Sequence, residues 1–498
     1  MTTALRSLIR RISPLALVPL LALVALVSWS LASPPGASPD DDFHLASSWC
    51  GLGERADLCE GTDNPGTRMI PQEISTISAC YAFKPEVSAG CLPEYSNGGP
   101  LVEAVRGNFQ GLYPPVYYAV SGLFASTDIA GSALVMRIVN SVIFVALASA
   151  LFLLLPLRRR AAFAFTWLVT TIPLGIFIIA SNNPSGWAVL SAGTLWLGLV
   201  GYFETVGKRR IGLGVIAALA VVLGAGARAD SAVYCVLGIG VAIVLSFERS
   251  RRFLISLWLP LVLVIMSIAF YFSASQGGQA SAGISSASNG TNPLTLLANN
   301  IVNLPLLWAG AFGSGALGAL GWFDTPMPGI VAVGSLSAFA VVAFAGLGFL
   351  NRRKFVALAV VALALVAVPL YVLYQTKAAV GTEVQPRYIL PMIVILAGVA
   401  LFEIDARVLH FSRVQLWLVL GALIAAHALA LHFTLRRFIT GLDVGNPNLN
   451  ANAEWWWGGP VSPMVVWAVG TIAFGLIVVL LARVVNRRLP ANAPLAID

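Results

Sequence analysis

The sequence predicts an all-α polytopic membrane protein with about 12 transmembrane helices and a large, disulfide-bearing first outer loop. Three observations carry that reading. Of 498 residues, 58% are hydrophobic and 10% charged, and the mean hydropathy is +0.84, far above the roughly half-apolar usage of soluble domains. Apolar runs of about 20 residues, enough to cross about 30 Å of hydrocarbon as helix, recur from end to end, whereas a transmembrane barrel would alternate apolar and polar residues. The basic residues fall in short clusters between these runs, as topology signals do. The formal charge of +8 therefore does not describe a nucleic-acid-binding face.

The first run, 14–33, comes after Arg6, Arg10 and Arg11. It is longer than a signal-peptide core and no A-x-A site succeeds it, so it reads as a retained anchor with its N-terminus in the cytoplasm. The polar segment 34–131 then lies outside. It holds four of the five cysteines, Cys50, Cys59, Cys80 and Cys91, and an even cluster in an oxidising compartment argues for disulfides. Two pairs can connect in three ways; loop length favours Cys50–Cys59 with Cys80–Cys91. The spacings match no familiar zinc pattern. Within this loop YPPVYYAVSGLFA, 113–125, is short for a span and reads as a re-entrant or juxtamembrane helix. If 113–127 did cross, the spans would number about 13 and every later span would run in the opposite direction.

Further spans are expected at 132–157, 162–181, 186–205, 211–228, 231–247, 253–274, 329–350, 355–375, 388–404, 413–433 and 463–484. Arg158–Arg160, Lys208–Arg210, Glu248–Arg252, Asn351–Lys354, 403–407 and Asn486–Arg488 then all fall in the cytoplasm, with both termini. The chain divides into 1–33 (tail and first span), 34–131 (first outer loop), 132–274 (transmembrane bundle), 275–328 (second outer loop) and 329–498 (last spans, with outer loops 376–387 and 434–462). Cytoplasmic links are brief, so recognition and chemistry belong to the outer face. Only four lysines stand among 30 basic residues, a usage that fits a bacterium and hence a bacterial plasma membrane.

Four constellations could carry chemistry. In SPDDDFHL, Ser38–Leu45, Asp40, Asp41 and Asp42 come after the first span at the boundary, where a low dielectric and neighbouring charges shift carboxylates into the range of a general base or metal ligand. The same residues would also serve as a helix cap. In KAAVGTEVQPRY, Lys377 and Arg387 stand on the outer face against the positive-inside trend, where a lipid phosphate would sit; an arginine can grip its oxygens bidentately, and a lysine can equally snorkel to headgroups. In GARADSAVY, Arg228 and Asp230 lie at the outer boundary as a phosphate-binding cation or as a structural pair closing a hairpin. In LGWFDTPMP, Trp322 and Asp324 could line a substrate groove. The run Trp455–Trp457 reads as an interfacial belt.

Pro39-Asp40-Asp41 with His44, Asn183-Pro184-Ser185-Gly186, Gly321-Trp322-Phe323-Asp324-Thr325 with Pro328, and Gln385-Pro386-Arg387-Tyr388 with Pro391 resemble the motifs of the bacterial family called domain of unknown function 2142. With its many spans and LYPPVYY segment, the chain looks like a member of the GT-C superfamily of membrane glycosyltransferases. Asp41 stands where the family usually has Glu, and Pro386 where it usually has Gly; the proline removes an N–H and restricts the backbone. The resemblance implies transfer of a sugar from a polyprenyl-phosphate donor to an envelope glycan, lipid or protein acceptor on the outer face, with inversion. It implies Asp40 as base, Asp41 as second carboxylate, and His44 as their orienting partner. Arg387, Lys377 and Arg228 would hold the donor phosphate, and Tyr117, Tyr118, Trp322, Asp324 and Tyr388 would line the substrate groove. It leaves room for a divalent cation, Mg or Mn, with Asp40 and Asp41 as its candidate ligands. A transporter or flippase of a lipid-linked precursor, or a non-catalytic envelope-assembly protein, would be the alternatives. Ionisable residues lie mainly at span ends and in loops rather than deep in spans, which is less expected of a transporter.

Overall fold

The computed structural model describes residues 14–92, 99–275, 292–348, 350–402 and 411–486. The N-terminal arginines, the 403–407 cluster and Arg487–Arg488 lie outside the described residues.

The described chain is mostly helical, which satisfies the polar N–H and C=O groups of the backbone internally where apolar side chains exclude water. Among the described residues nine helices are long and apolar enough to cross a membrane, or ten if the bent pair Leu157–Thr170 and Pro173–Ile179 forms one broken span. The expected count of about 12 departs from this for local reasons. Helix α1 (Val18–Ser30) and the helix Pro386–Ala400 are apolar but short. The expected span 162–181 bends by 95° just before Pro173, whose nitrogen cannot continue the helical ladder. Gly207–Ala225 carries Lys208, Arg209 and Arg210 in its first turn, which shortens its apolar stretch.

A further helix, Pro293–Ala311, lies inside what hydropathy assigned to the second outer loop. Its composition suits a span, and it packs along Arg352–Gln375, where Trp308 Nε1 donates to the Leu365 carbonyl at 3.4 Å. Asn300 donates to the Ala378 carbonyl at 2.9 Å and accepts from the Val380 N–H at 2.9 Å, and Gly310 packs against Pro386.

Helix Ser185–Glu204 is the centre of the bundle, with 94% of its apolar window buried. Peripheral helices such as Gly329–Leu347 and Arg352–Gln375 bury 28% of theirs, leaving apolar flanks such as Val333, Phe344 and Leu363 that only hydrocarbon would accept. The bundle has a basic end, where Arg159 pairs with Glu204 at 2.6 Å and Lys354 caps the Gly346 and Phe402 carbonyls at 2.7 and 2.9 Å. At the opposite end the loops gather.

The first loop is a small folded unit at that loop end. Helix α2 (Asp41–Trp49) packs Leu45 and Trp49 against Ile70, Ile74 and Ile77, beside an antiparallel ribbon in which β1 (Arg68–Pro71) pairs Arg68 with Ala104 and Pro71 with Leu101 of β2 (Leu101–Ala104). Disulfides Cys50–Cys59 and Cys80–Cys91 close it, in the sequential pairing. The stretch 113–125 forms only helix α3 (Val116–Gly122), seven residues, too short to span about 30 Å. Later segments clamp the unit down: Trp322 Nε1 donates to the Gly36 carbonyl at 2.8 Å, Arg437 donates to the Val87 and Tyr81 carbonyls at 2.6 and 2.9 Å, and Ser88 donates to Glu454 at 2.5 Å.

Candidate functional site

The four motifs, dispersed along the chain, converge on residues 36–41. The turn itself is built locally. Asp41 N–H donates to the Ser38 carbonyl at 3.1 Å, while Ser38 hydroxyl and N–H donate back to the Asp41 carboxylate at 2.5 and 3.2 Å. This closure leaves Asp40 in the left-handed region at φ +59°, a conformation that Asp tolerates better than most residues. From the second motif, Asn183 donates to the Pro39 carbonyl at 2.8 Å and accepts from the Ser185 N–H at 2.9 Å. From the third comes the Trp322–Gly36 bond. From the fourth, Arg387 Nη2 lies 2.5 Å from Asp40 Oδ2.

The carboxylates of Asp40 and Asp41 turn opposite ways. Asp40, 34% exposed, meets the buried Arg387 on one oxygen and Arg106 Nη2 on the other at 3.0 Å. Burial alone would raise its carboxyl, but the Arg387 and Arg106 guanidiniums outweigh that and hold it below its ordinary range. Asp41 is fully buried; burial pushes its carboxyl up to about 6, against the pull of Arg137 and Ser38. Arg137, 3.6 Å away, itself donates to the Ser30, Ser33 and Pro34 carbonyls at 2.7–3.0 Å. Asp41 thus shapes the turn and is shut off from solvent, which corrects its expected role as a second reacting carboxylate. Two carboxylates that diverge onto separate arginines do not fit a shared Mg or Mn ion. No group of three His, Cys, Asp or Glu residues suited to a metal occurs among the described residues.

His44 is buried beneath Asp40. Its Nδ1 and the Tyr118 hydroxyl are hydrogen-bonded at 2.8 Å, and it packs between Phe43 and Tyr113. Burial, reinforced by Arg228, pushes the imidazole down to about 3, so it is neutral. It orients through Tyr118 rather than through either acid.

On the other side of Asp40, the Tyr388 ring sits between two guanidiniums, Arg228 at 4.8 Å and Arg387 at 4.9 Å from its centroid. Its hydroxyl accepts from Arg387 Nη2 at 3.0 Å. Arg228 is held bidentately by Asp230, both contacts at 2.9 Å, and donates to Ser185 at 3.3 Å. Arg387 is as deeply buried as Arg228, but its Nε and Nη1 have no hydrogen-bond partner among the described residues. Donors so placed are costly unless something accepts from them.

Other expected site residues lie elsewhere. Lys377 is exposed in a left-handed turn at φ +52° and makes no side-chain bond among the described residues. Tyr117 is buried edge-on to Trp187 at 5.0 Å, its hydroxyl accepting from Asn140 at 3.3 Å. Asp324 is buried against Arg437 at 2.7 Å and also accepts from the Phe83 N–H. The Tyr117 and Asp324 side chains are satisfied internally and are not free to line a groove; Trp322 commits its N–H to the clamp. Arg106 was not singled out by sequence, because nothing local marks a lone arginine 66 residues from its partner.

The chain matches the family described as predicted membrane protein (DUF2142) over residues 23–396, most of its length, and belongs to that family. All four converging motifs fall within the matched region. Comparison with curated proteins finds no match.

Proposed function

We propose that this protein is a GT-C-type glycosyltransferase that moves a sugar from a polyprenyl-phosphate donor to an envelope acceptor at the loop end, which faces outward from a bacterial plasma membrane with both termini cytoplasmic. The observation that carries the proposal is the juxtaposition of a partly open, ionised carboxylate, Asp40, with a buried arginine, Arg387, that keeps two donor nitrogens unpaired among the described residues.

In this reading Asp40 takes the proton of the acceptor hydroxyl. The acceptor oxygen forms its bond to the anomeric carbon from the side opposite the leaving group, the carbon–oxygen bond to phosphate breaks, and its electron pair goes to the phosphate. Arg387 holds that charge through Nε and Nη1, with Tyr388 and Arg228 fixing its plane. Asp41, Asn183 and Ser38 hold the base in place. The two disulfides support an oxidising compartment for the loop end.

The test uses the full chain in lipid nanodiscs. Asp40→Asn, folded and expressed normally, should lose transfer from undecaprenyl-phosphate-linked sugars by at least about 100-fold, as expected for a general base. Unchanged envelope glycans and unchanged turnover in that variant would remove Asp40 from the mechanism. Movement of a lipid-linked sugar across the bilayer without transfer would instead establish the flippase alternative.

A further inference from the structure

Both oxygens of Asp40 are engaged, and the two arginines that hold them are not equivalent. Arg387 is 3% exposed and sits in a helix; Arg106 is 53% exposed and sits in the loop just after β2. The Arg106 guanidinium bridges the turn, with Nη2 on Asp40 at 3.0 Å and Nε on Asp42 at 2.6 Å, and its Cζ lies 5.9 Å from the Phe43 ring. The strand holds the chain on one side of it. On the other, Asn108 N–H donates to Ser47 at 2.8 Å and the Asn108 side chain donates to the Tyr113 carbonyl and accepts from the Tyr113 N–H. Arg106 is thus a side chain on an anchored strap, lying across the Asp40 oxygen that Arg387 does not hold.

A carboxylate held between two cations is a weak base, because each cation favours the ionised form. For Asp40 to take a proton, one arginine must yield. An exposed ion pair is held weakly, screened by water and salt, whereas removing one partner of a buried pair strands a charge away from solvent. Arg106 is therefore the one that moves, and a guanidinium leaves a carboxylate most readily when another anion replaces it.

We infer that Arg106 is an acceptor-side latch over Asp40, opened when an anionic group of the incoming ligand takes its guanidinium, and that the acceptor accordingly carries a negative charge near its reacting hydroxyl. The inference rests on the proposed transferase reading for the word acceptor; the latch and its anion site stand on geometry alone.

The experiment reads the accessibility of Asp40 directly. Purified full-length protein in nanodiscs is labelled at fixed pH with a water-soluble carbodiimide and glycine ethyl ester, and modification of Asp40 is followed by peptide mass spectrometry. Arg106→Gln should raise the labelling rate several-fold with an unchanged melting temperature. Asp42→Asn, which keeps Arg106 but removes its second anchor, should raise it by a smaller factor. Sodium sulfate, against sodium chloride at matched ionic strength, should speed labelling of the native protein and leave the Arg106→Gln variant unaffected. Unchanged labelling in both variants would overturn the latch, and an equal sulfate effect in native protein and Arg106→Gln would overturn the anion site. Labelling as expected with no glycosyl transfer by any form would sink the transferase reading alone.

Discussion

Arg387 and Asp40 lie 347 residues apart in sequence and 2.5 Å apart in space, and that ion pair ties the last of the four motifs to the first. Because Arg387 presents a planar fork, Lys cannot replace it without losing the geometry. Arg387→Lys should keep the fold but lower transfer by about 100-fold, the scale of one lost oxyanion donor. The loss should appear in turnover more than in KM for the donor, as steady-state kinetics in nanodiscs would show. An equal rise in KM with turnover intact would mean that Arg387 only binds.

Asp41 makes a prediction about pH. Its carboxyl is raised to about 6 in the folded protein, while an unfolded Asp ionises near about 3.9. Between those values the folded state keeps a proton that the unfolded state has lost, so the contribution of Asp41 to stability falls as pH rises from about 4 to about 6, then levels. Melting temperatures of the native protein and Asp41→Asn, compared from about pH 4 to about pH 7, should converge or cross in that sense.

His44 works in the opposite direction. Pushed down to about 3, it stays neutral in the fold while an unfolded His takes a proton near about 6.5. Stability owed to a neutral His44 is therefore present above about 6.5 and is lost as pH falls toward about 3. His44→Gln should lessen acid lability in the same melting series, and the opposite sign separates it from Asp41.

Asp324 is expected to matter for stability and not for turnover. Its pair with Arg437 is buried on both sides, with side chains 1% and 0% exposed, and Arg437 also binds the first loop. Asp324→Asn should destabilise by about 3 kcal/mol, the lower range for breaking a buried pair, with unchanged activity per folded molecule. A selective loss of turnover would return Asp324 to the groove.

The disulfides join cysteines 9 and 11 positions apart. Non-reducing peptide mapping should recover Cys50–Cys59 and Cys80–Cys91 peptides and no crossed pairs. Replacing either pair with serines should lower stability by about 2–3 kcal/mol on a chain-entropy estimate, read as a drop in melting temperature.

Several of these features are legible in the order of residues alone. Hydropathy is a local property, so the runs that form Ile129–Leu154, Gly329–Leu347 and Pro463–Asn486 can be read off directly. Short cysteine loops make the sequential pairing the economical one, and the motif residues Asp40, Asn183, Trp322 and Arg387 do meet at one turn. Less local matters are not legible there. Residue type does not reveal that Asn140 already satisfies Tyr117, or Arg437 Asp324. The helix Pro293–Ala311 hid in a segment assigned to a loop.

Membrane class, family and the residues that mark the candidate site were thus set down along the chain, because bilayer thickness, charge asymmetry and motif spacing all leave a local record. Three features of the site emerged only on folding: Asp40 stays partly exposed while Asp41 turns inward, Arg387 retains free donors among the described residues, and Arg106 crosses over Asp40. They depend on one left-handed residue and on contacts between segments far apart in sequence. A side chain's direction at such a turn is set by what packs against it.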